Sequence, residues 1–147
     1  MNIITDPYES FWDYEGPKNV LVVPTTLYVK KTTEELTVVN ELSKEAFKKY
    51  PALKKRWGYL VSIGVSYPTY RSSETILLGL PTREHYASND DEIMIDSSLV
   101  YLADLAESMP EELFYITDFW GKDKTVDFLG ATKNIVFLDY SNKGNHD

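Results

Sequence analysis

The sequence predicts an α/β fold with a mainly parallel, mixed central sheet flanked by helices, and three observations carry that expectation. Short continuous apolar runs at Asn19–Val23, Ile76–Leu80, Leu113–Ile116 and Ile135–Leu138 read as strands buried on both faces. Stretches with helical spacing of apolar residues lie between them. The resulting order β, α, β, α, β, α, β is that of parallel strands joined by crossover helices.

The first run is bounded by Gly16-Pro17 before it and by Pro24 after it. A helix follows in which Leu42, Ala46, Phe47 and Tyr50 recur at three and four, until Pro51 breaks it. Proline is tolerated at a first helical position, so Pro51–Trp57 reads as a second short helix with Gly58 near its end. Pro81 cuts off the second strand, and the polar stretch Thr82–Asp91 holds a cap for the next helix between Ser88 and Asp91. Ile93, Ile95, Leu99, Leu102, Leu105 and Ala106 give that helix its period from Glu92 to Met109, and Pro110 ends it. A short helix over Thr125–Leu129 separates the last two strands. With no internal repeat or linker, residues 1–140 read as one domain and residues 141–147 as a polar, disordered tail.

Composition narrows the function. A chain of 147 residues with 43% hydrophobic and 26% charged residues buries enough surface for one core without disulfides or a structural metal. Zero cysteines exclude a thiolate zinc site and a cysteine nucleophile, and fit a reducing compartment. Met1–Asp6 lacks the basic and then apolar pattern of a signal peptide, and no apolar run approaches the roughly 18 residues of a membrane span. The expected location is therefore cytoplasmic, with no membrane partner. A net charge of −8 disfavours bulk nucleic-acid binding, because phosphate contacts need Lys and Arg to displace counterions. The basic residues Lys44, Lys48, Lys49, Lys54, Lys55 and Arg56 read as solvated helix faces. His85 has only His146 as a fellow histidine, so it reads as structural, and neither a metal nor a cofactor is expected.

Ligands of such sheets bind beyond the carboxyl ends of the strands, where loops and helix N-termini present backbone N–H groups. Three loops qualify: Pro24–Leu27, Pro81–Tyr86 and Phe119–Lys124. Together they offer hydroxyls, an arginine, a histidine, aromatic faces, a glycine and a carboxylate, the ingredients of a nucleotide cradle.

The segment Leu80-Pro-Thr-Arg-Glu-His-Tyr86, with Ser88 and a long helix behind it, resembles the Phe-Pro-Thr-Lys-x-His-Trp segment of macrodomains, in the branch of DNA and terminal ADP-ribose glycohydrolases. Ala46-Phe-Lys-Lys-Tyr-Pro51 is similar to the helix of that branch ending in Phe-Lys-Lys-x-Phe-Pro, one residue shorter before the proline. Leu113–Ile116 followed by Gly121-Lys-Asp123 is similar to the strand and Gly-x-Asp loop that enclose the diphosphate and distal ribose. The likeness covers residues 19–140 and implies a three-layer macrodomain-like fold that binds ADP-ribose. It implies a ligand contact at Asp6, as the acid that meets the adenine amino group, while the three loops offer Thr25, Thr26, Thr82, Arg83, Trp120, Gly121 and Lys122 as further contacts.

The sequence also departs from the family. Asparagines and small residues are expected after the first buried strand, whereas this chain has Pro24-Thr-Thr-Leu27 and then no glycine from Thr32 to Leu42. The lysine implicated in attack on the anomeric carbon falls at Arg83, and a guanidinium that stays protonated is no amine nucleophile. Bulky Phe119 and Trp120 stand in the phosphate loop, where the family is rich in glycine.

Three functional classes follow. The first is a module that binds ADP-ribose or a related nucleotide without turnover. The second is an ADP-ribosyl glycohydrolase with Asp123 as its acid or base and Arg83 stabilising the diphosphate. The third is a ligand-free scaffold for a protein partner, built on an aromatic surface that includes some of the 11 tyrosines.

Overall fold

The structure, a computed structural model, describes residues 1–141, so the expected polar tail, apart from Ser141, and His146 lie outside the described residues. Six strands form one sheet: β1 (Asn2–Thr5), β2 (Asn19–Thr26), β3 (Thr69–Arg71), β4 (Ile76–Arg83), β5 (Leu113–Thr117) and β6 (Ile135–Asp139). Their order is β1-β6-β5-β2-β4-β3, and β1 with β6, β6 with β5, and β5 with β2 all pair in parallel. The helices are α1 (Glu41–Lys49), α2 (Leu53–Ser62), α3 (Glu92–Ser108) and α4 (Lys122–Leu129), together with a 3₁₀ turn at Phe11–Tyr14. The α/β class and the parallel character expected from the sequence are both present. No helix among the described residues is long and apolar enough to cross a membrane.

Backbone contacts group the described residues into two compact units, one made of residues 1–22, 72–76 and 99–141, the other of residues 23–71 and 77–98. In the first unit, β5 and β6 are almost wholly buried, with Phe114, Ile116, Ile135, Phe137 and Leu138 at its centre. β1 was not expected, because Asn2–Thr5 is short, largely exposed and flanked by polar residues. Its backbone rather than its side chains places it, through the register Asn2–Val136 to Thr5–Asp139. Asn134 fixes the approach to β6. Its amide nitrogen donates to the carbonyls of Ala106, Met109 and Glu112 at 2.8, 2.9 and 3.0 Å, which satisfies carbonyls at the end of α3 and beyond it.

Three phenols also gather in this unit. The rings of Tyr14 and Tyr115 lie 4.9 Å apart, and the Tyr140 hydroxyl donates to the Glu9 carbonyl at 2.9 Å. Burial pushes all three phenols up, and Tyr140, which also feels the charges of Tyr14, Asp13 and Glu9, reaches about 12. In the unfolded chain a tyrosine ionises near pH 10. Between that pH and about 12 the unfolded chain loses the Tyr140 proton while the folded chain keeps it, so folding stability falls as pH rises. An ultraviolet titration of tyrosinate is expected to show one phenol ionising two units late, with the unfolding midpoint falling across the same window. A single transition near pH 10 with no loss of stability would contradict this.

In the second unit, α1 starts at a reciprocal cap. Asn40 Oδ1 accepts from the Ser43 N–H at 3.0 Å, and Ser43 Oγ accepts from the Asn40 N–H at 3.1 Å. Phe47 on this helix meets Trp57 of α2 edge to face, centroids 6.2 Å apart, over a core that includes Leu36 and Leu53. Asp91 caps α3, its Oδ1 accepting from the N–H groups of Ile93 and Met94 at 3.0 and 3.1 Å.

Several boundaries differ from the expectation. β2 and β4 run through Pro24 and Pro81 and end on Thr26 and Arg83. A proline removes a donor but keeps an extended backbone, so it shortens a ladder without ending a strand. α2 begins at Leu53 and passes through Gly58 to Ser62. Gly58 is there for space: a Cβ on it would sit 2.2 Å from the Glu34 carbonyl oxygen. Ile93 is 80% exposed, so the buried face of α3 starts at Ile95. Finally, α4 begins at Lys122, three residues before the expected start.

Candidate functional site

These boundaries change what the candidate residues are. Thr25 and Thr26 belong to the end of β2, Thr82 and Arg83 to the end of β4, and Lys122 and Asp123 to the first turn of α4. Residues expected in loops therefore sit on regular elements.

In the second unit the ends of β2 and β4 are tied by a hydrogen bond from the Leu27 N–H to the Glu84 carbonyl at 3.1 Å. Thr25, Thr26 and Thr82 are buried there. Thr26 Oγ1 lies 2.7 Å from Thr37 Oγ1 and accepts from the Tyr28 N–H at 3.2 Å, so its hydroxyl is committed to holding the following turn. Thr25 is different: its Oγ1 is buried and has no hydrogen-bond partner among the described residues. Its methyl carbon lies 2.9 Å from where a Cβ on Gly79 would fall, which explains a glycine inside β4. Arg83 is clamped, with Nε and Nη2 donating to Asp90 Oδ1 at 2.9 and 2.7 Å and Nη1 reaching the Tyr86 carbonyl at 3.5 Å. Beside it, His85 stacks on Tyr86 with centroids 4.3 Å apart and meets Tyr28 at the same distance. His85 Nδ1 accepts from the Ala87 N–H at 3.0 Å, the structural role expected of it.

In the first unit the carboxyl ends of β1, β5 and β6 share one edge. Asp6 follows β1 with φ +48, a left-handed conformation that aspartate tolerates, and its N–H donates to the Asp139 carbonyl at 2.8 Å. Asp139, at the end of β6, is 1% exposed, and its carboxylate organises the edge. Oδ1 accepts from the Ser141 hydroxyl and N–H at 2.5 and 3.0 Å, and Oδ2 from Lys122 Nζ at 3.2 Å. The two bonds from Ser141, helped by Lys122, hold this carboxyl below the usual carboxylate range against the opposing effect of burial. Gly121 precedes α4 with φ +89, which favours glycine. Trp120 is buried edge to face with Phe119, centroids 5.1 Å apart, and its Nε1 has no hydrogen-bond partner among the described residues. Asp123 is exposed on the first turn of α4.

Asp139 and Ser141 carry much of this arrangement and were not singled out in the sequence. A carboxylate directly after the buried run Ile135–Leu138 is the signal that points to Asp139, since the carboxyl end of a parallel strand is where such folds place polar function. Among the described residues, no group of three or more His, Asp and Glu side chains is arranged to hold a metal ion.

No family model matches the sequence, and no curated protein does either. Solved structures do match. The macrodomain of Thermus aquaticus DarG is 11% identical with a TM-score of 0.69, covering 95% of this chain and 97% of its own. Thermosipho africanus DarTG in complex with ADP-ribose is 11% identical with a TM-score of 0.74, covering 94% of this chain and 41% of the other. The macrodomain of Mycobacterium tuberculosis DarG is 9% identical with a TM-score of 0.66, covering 95% and 97%. Identity this low speaks for the fold alone, and at these scores and coverages the chain has the macrodomain fold, in a sequence far diverged from those it resembles.

Proposed function

We propose that this chain binds ADP-ribose or a related nucleotide and does not turn it over, in a cytoplasmic setting. The observation that carries the reading is the match of nearly the whole chain to a structure solved with ADP-ribose. Two buried polar atoms support it, Thr25 Oγ1 and Trp120 Nε1, which lack hydrogen-bond partners among the described residues. Such a group costs about 1–3 kcal/mol, and folds tend to tolerate that cost at functional positions. Thr25, Thr26, Thr82 and Arg83 are proposed ligand contacts in the second unit, and Asp6, Trp120, Gly121 and Lys122 in the first, each group to be tested by its own variants.

Absence of turnover rests on chemistry. Arg83 holds the position of the family's lysine with a guanidinium already committed to Asp90, so it can pair with a phosphate but not attack a carbon. Asp123 is exposed, and no side-chain hydrogen bond among the described residues orients it, unlike a general base held in place.

Calorimetric titration with ADP-ribose, and with ADP and NAD for comparison, tests the reading. Arg83→Ala is expected to weaken ADP-ribose binding about tenfold or more while barely moving the thermal midpoint, because its ion pair is partly exposed. Thr25→Val keeps the shape and removes an unpartnered hydroxyl, so it should hold or raise stability while weakening binding. No heat and no thermal shift at millimolar ligand would reject the nucleotide reading and direct attention to a protein partner.

A further inference from the structure

A cavity of about 380 Å³ in the second unit meets the arrangement described above only at Thr37, whose hydroxyl lies 2.7 Å from that of Thr26. It is lined by Lys30, Lys44, Lys48 and Lys54, with Glu35 among them and Leu36, Val38 and Phe47 as apolar wall. We infer that this cavity binds a compact, multiply phosphorylated small molecule, independently of the ADP-ribose reading.

The frame of the cavity is fixed by backbone. Lys30 and Glu35 sit on a tight turn closed by the Lys30 N–H to Glu35 carbonyl bond at 2.9 Å and the Val29–Leu36 bridge. The Leu36 N–H donates to the Lys54 carbonyl at 2.9 Å, which joins the turn to α2. Lys44 and Lys48 stand four residues apart on α1 and so share one helix face.

Charge decides the ligand class. Four lysines and a single carboxylate line the cavity, and Glu35 pairs with Lys54 at 3.4 Å. Among the described residues Lys30, Lys44 and Lys48 have no ion-pair partner. Like charges at this helical spacing repel and cost stability. Lys30, Lys44 and Lys48 are exposed, and their convergence on one concavity, in a chain of net charge −8, differs from charges dispersed over a surface. Lysine is a flexible point charge suited to phosphate oxygens, and several of them match an anion carrying several charges. The volume lies at the low end of small-molecule pockets, which fits a phosphorylated metabolite and not a polymer. The overall acidity further disfavours a long nucleic acid. Leu36 and Phe47, both buried, supply the apolar wall for the organic part.

The test is calorimetric titration of the full chain at low salt with inorganic tripolyphosphate, inorganic phosphate and a single-stranded oligonucleotide. The double variant Lys44→Gln, Lys48→Gln should weaken tripolyphosphate binding about tenfold or more, hold or raise the thermal midpoint, and leave any ADP-ribose affinity unchanged. Lys18→Gln, on an exposed lysine outside the cavity, should bind tripolyphosphate like the parent. Tripolyphosphate should bind more tightly than phosphate. The inference is overturned if the parent does not bind tripolyphosphate at millimolar concentration, if the double variant binds it as well as the parent, or if Lys18→Gln weakens it equally. It is also overturned if the oligonucleotide binds more tightly than tripolyphosphate, which would mark an open nucleic-acid surface.

Discussion

Gly58→Ala is expected to destabilise the protein by about 3 kcal/mol, against the helix-propensity gain of about 1 kcal/mol that alanine brings to a helix interior. The two effects have opposite signs, and the structure says which wins. Gly58 is buried inside α2, and a Cβ there would lie 2.2 Å from the Glu34 carbonyl oxygen and 3.0 Å from the Leu36 nitrogen. Both neighbours are backbone, so no rotamer change relieves the overlap. The segment cannot simply lift away either, because the Leu36 N–H is bonded to the Lys54 carbonyl and the Leu36 side chain is 2% exposed. Glu34 itself already holds φ +60, leaving little room to adjust. For a chain of this size the loss corresponds to a thermal midpoint lower by roughly 10 °C. Equilibrium denaturation gives the answer directly: a variant as stable as the parent, or more so, would mean that this segment does not lie against α2 as described. Because Lys30 and Glu35 sit on the same segment, the variant should also weaken tripolyphosphate binding.

Gly58 also shows where reading the sequence stops. As a residue with no side chain it reads as a helix end, and only the approach of a segment twenty-odd residues earlier reveals it as a contact surface. The buried strands were legible because runs such as Ile135–Leu138 are apolar on both faces, which few other environments permit. Edge strands β1 and β3 were not, since each is held through its backbone and keeps mostly exposed side chains. In the sequence Pro24 and Pro81 read as terminators, although each is followed by buried threonine inside the strand, at Thr25 and Thr82. The resemblance at Leu80–Tyr86 pointed to the right fold because its residues keep their order. It said nothing of Asp139, since its pairing with Lys122 is set by how distant chain segments come together and not by any local spacing. The basic residues of α1 and α2 read as solvated faces and are mostly exposed, but a helical wheel cannot show that Lys30 lines the same concavity as Lys44, Lys48 and Lys54.

Asp139→Asn is expected to cost about 2–3 kcal/mol at neutral pH, although it changes one atom. The carboxylate is buried, and every bond it makes is as an acceptor: Ser141 to one oxygen, Lys122 to the other. An amide can keep the acceptor toward Ser141, but it then turns an NH₂ group toward the Lys122 ammonium, 3.2 Å away in the parent, where two donors meet without an acceptor. Turned the other way it satisfies Lys122 and opposes the Ser141 N–H, so neither orientation recovers the set. The pH dependence separates this from a simple packing defect. Since the folded carboxyl is held below its unfolded value, near 3.9, the unfolded chain binds the proton first as pH falls. The contribution of Asp139 is therefore complete above that value and fades as pH drops toward the lower folded pKa. The gap between parent and variant should be full at pH 7 and shrink in acid, measured by denaturation at several pH values. Asp6→Asn is the companion variant, because asparagine tolerates the left-handed φ +48 and keeps the N–H that meets the Asp139 carbonyl. It should leave stability unchanged and alter only nucleotide affinity, if the Asp6 carboxylate meets the ligand. A constant gap between parent and Asp139→Asn at every pH would show that the ion pair and the Ser141 bonds do not hold this end of the sheet. Equal losses of stability in both variants would show that Asp6 belongs to the frame and not to the binding surface.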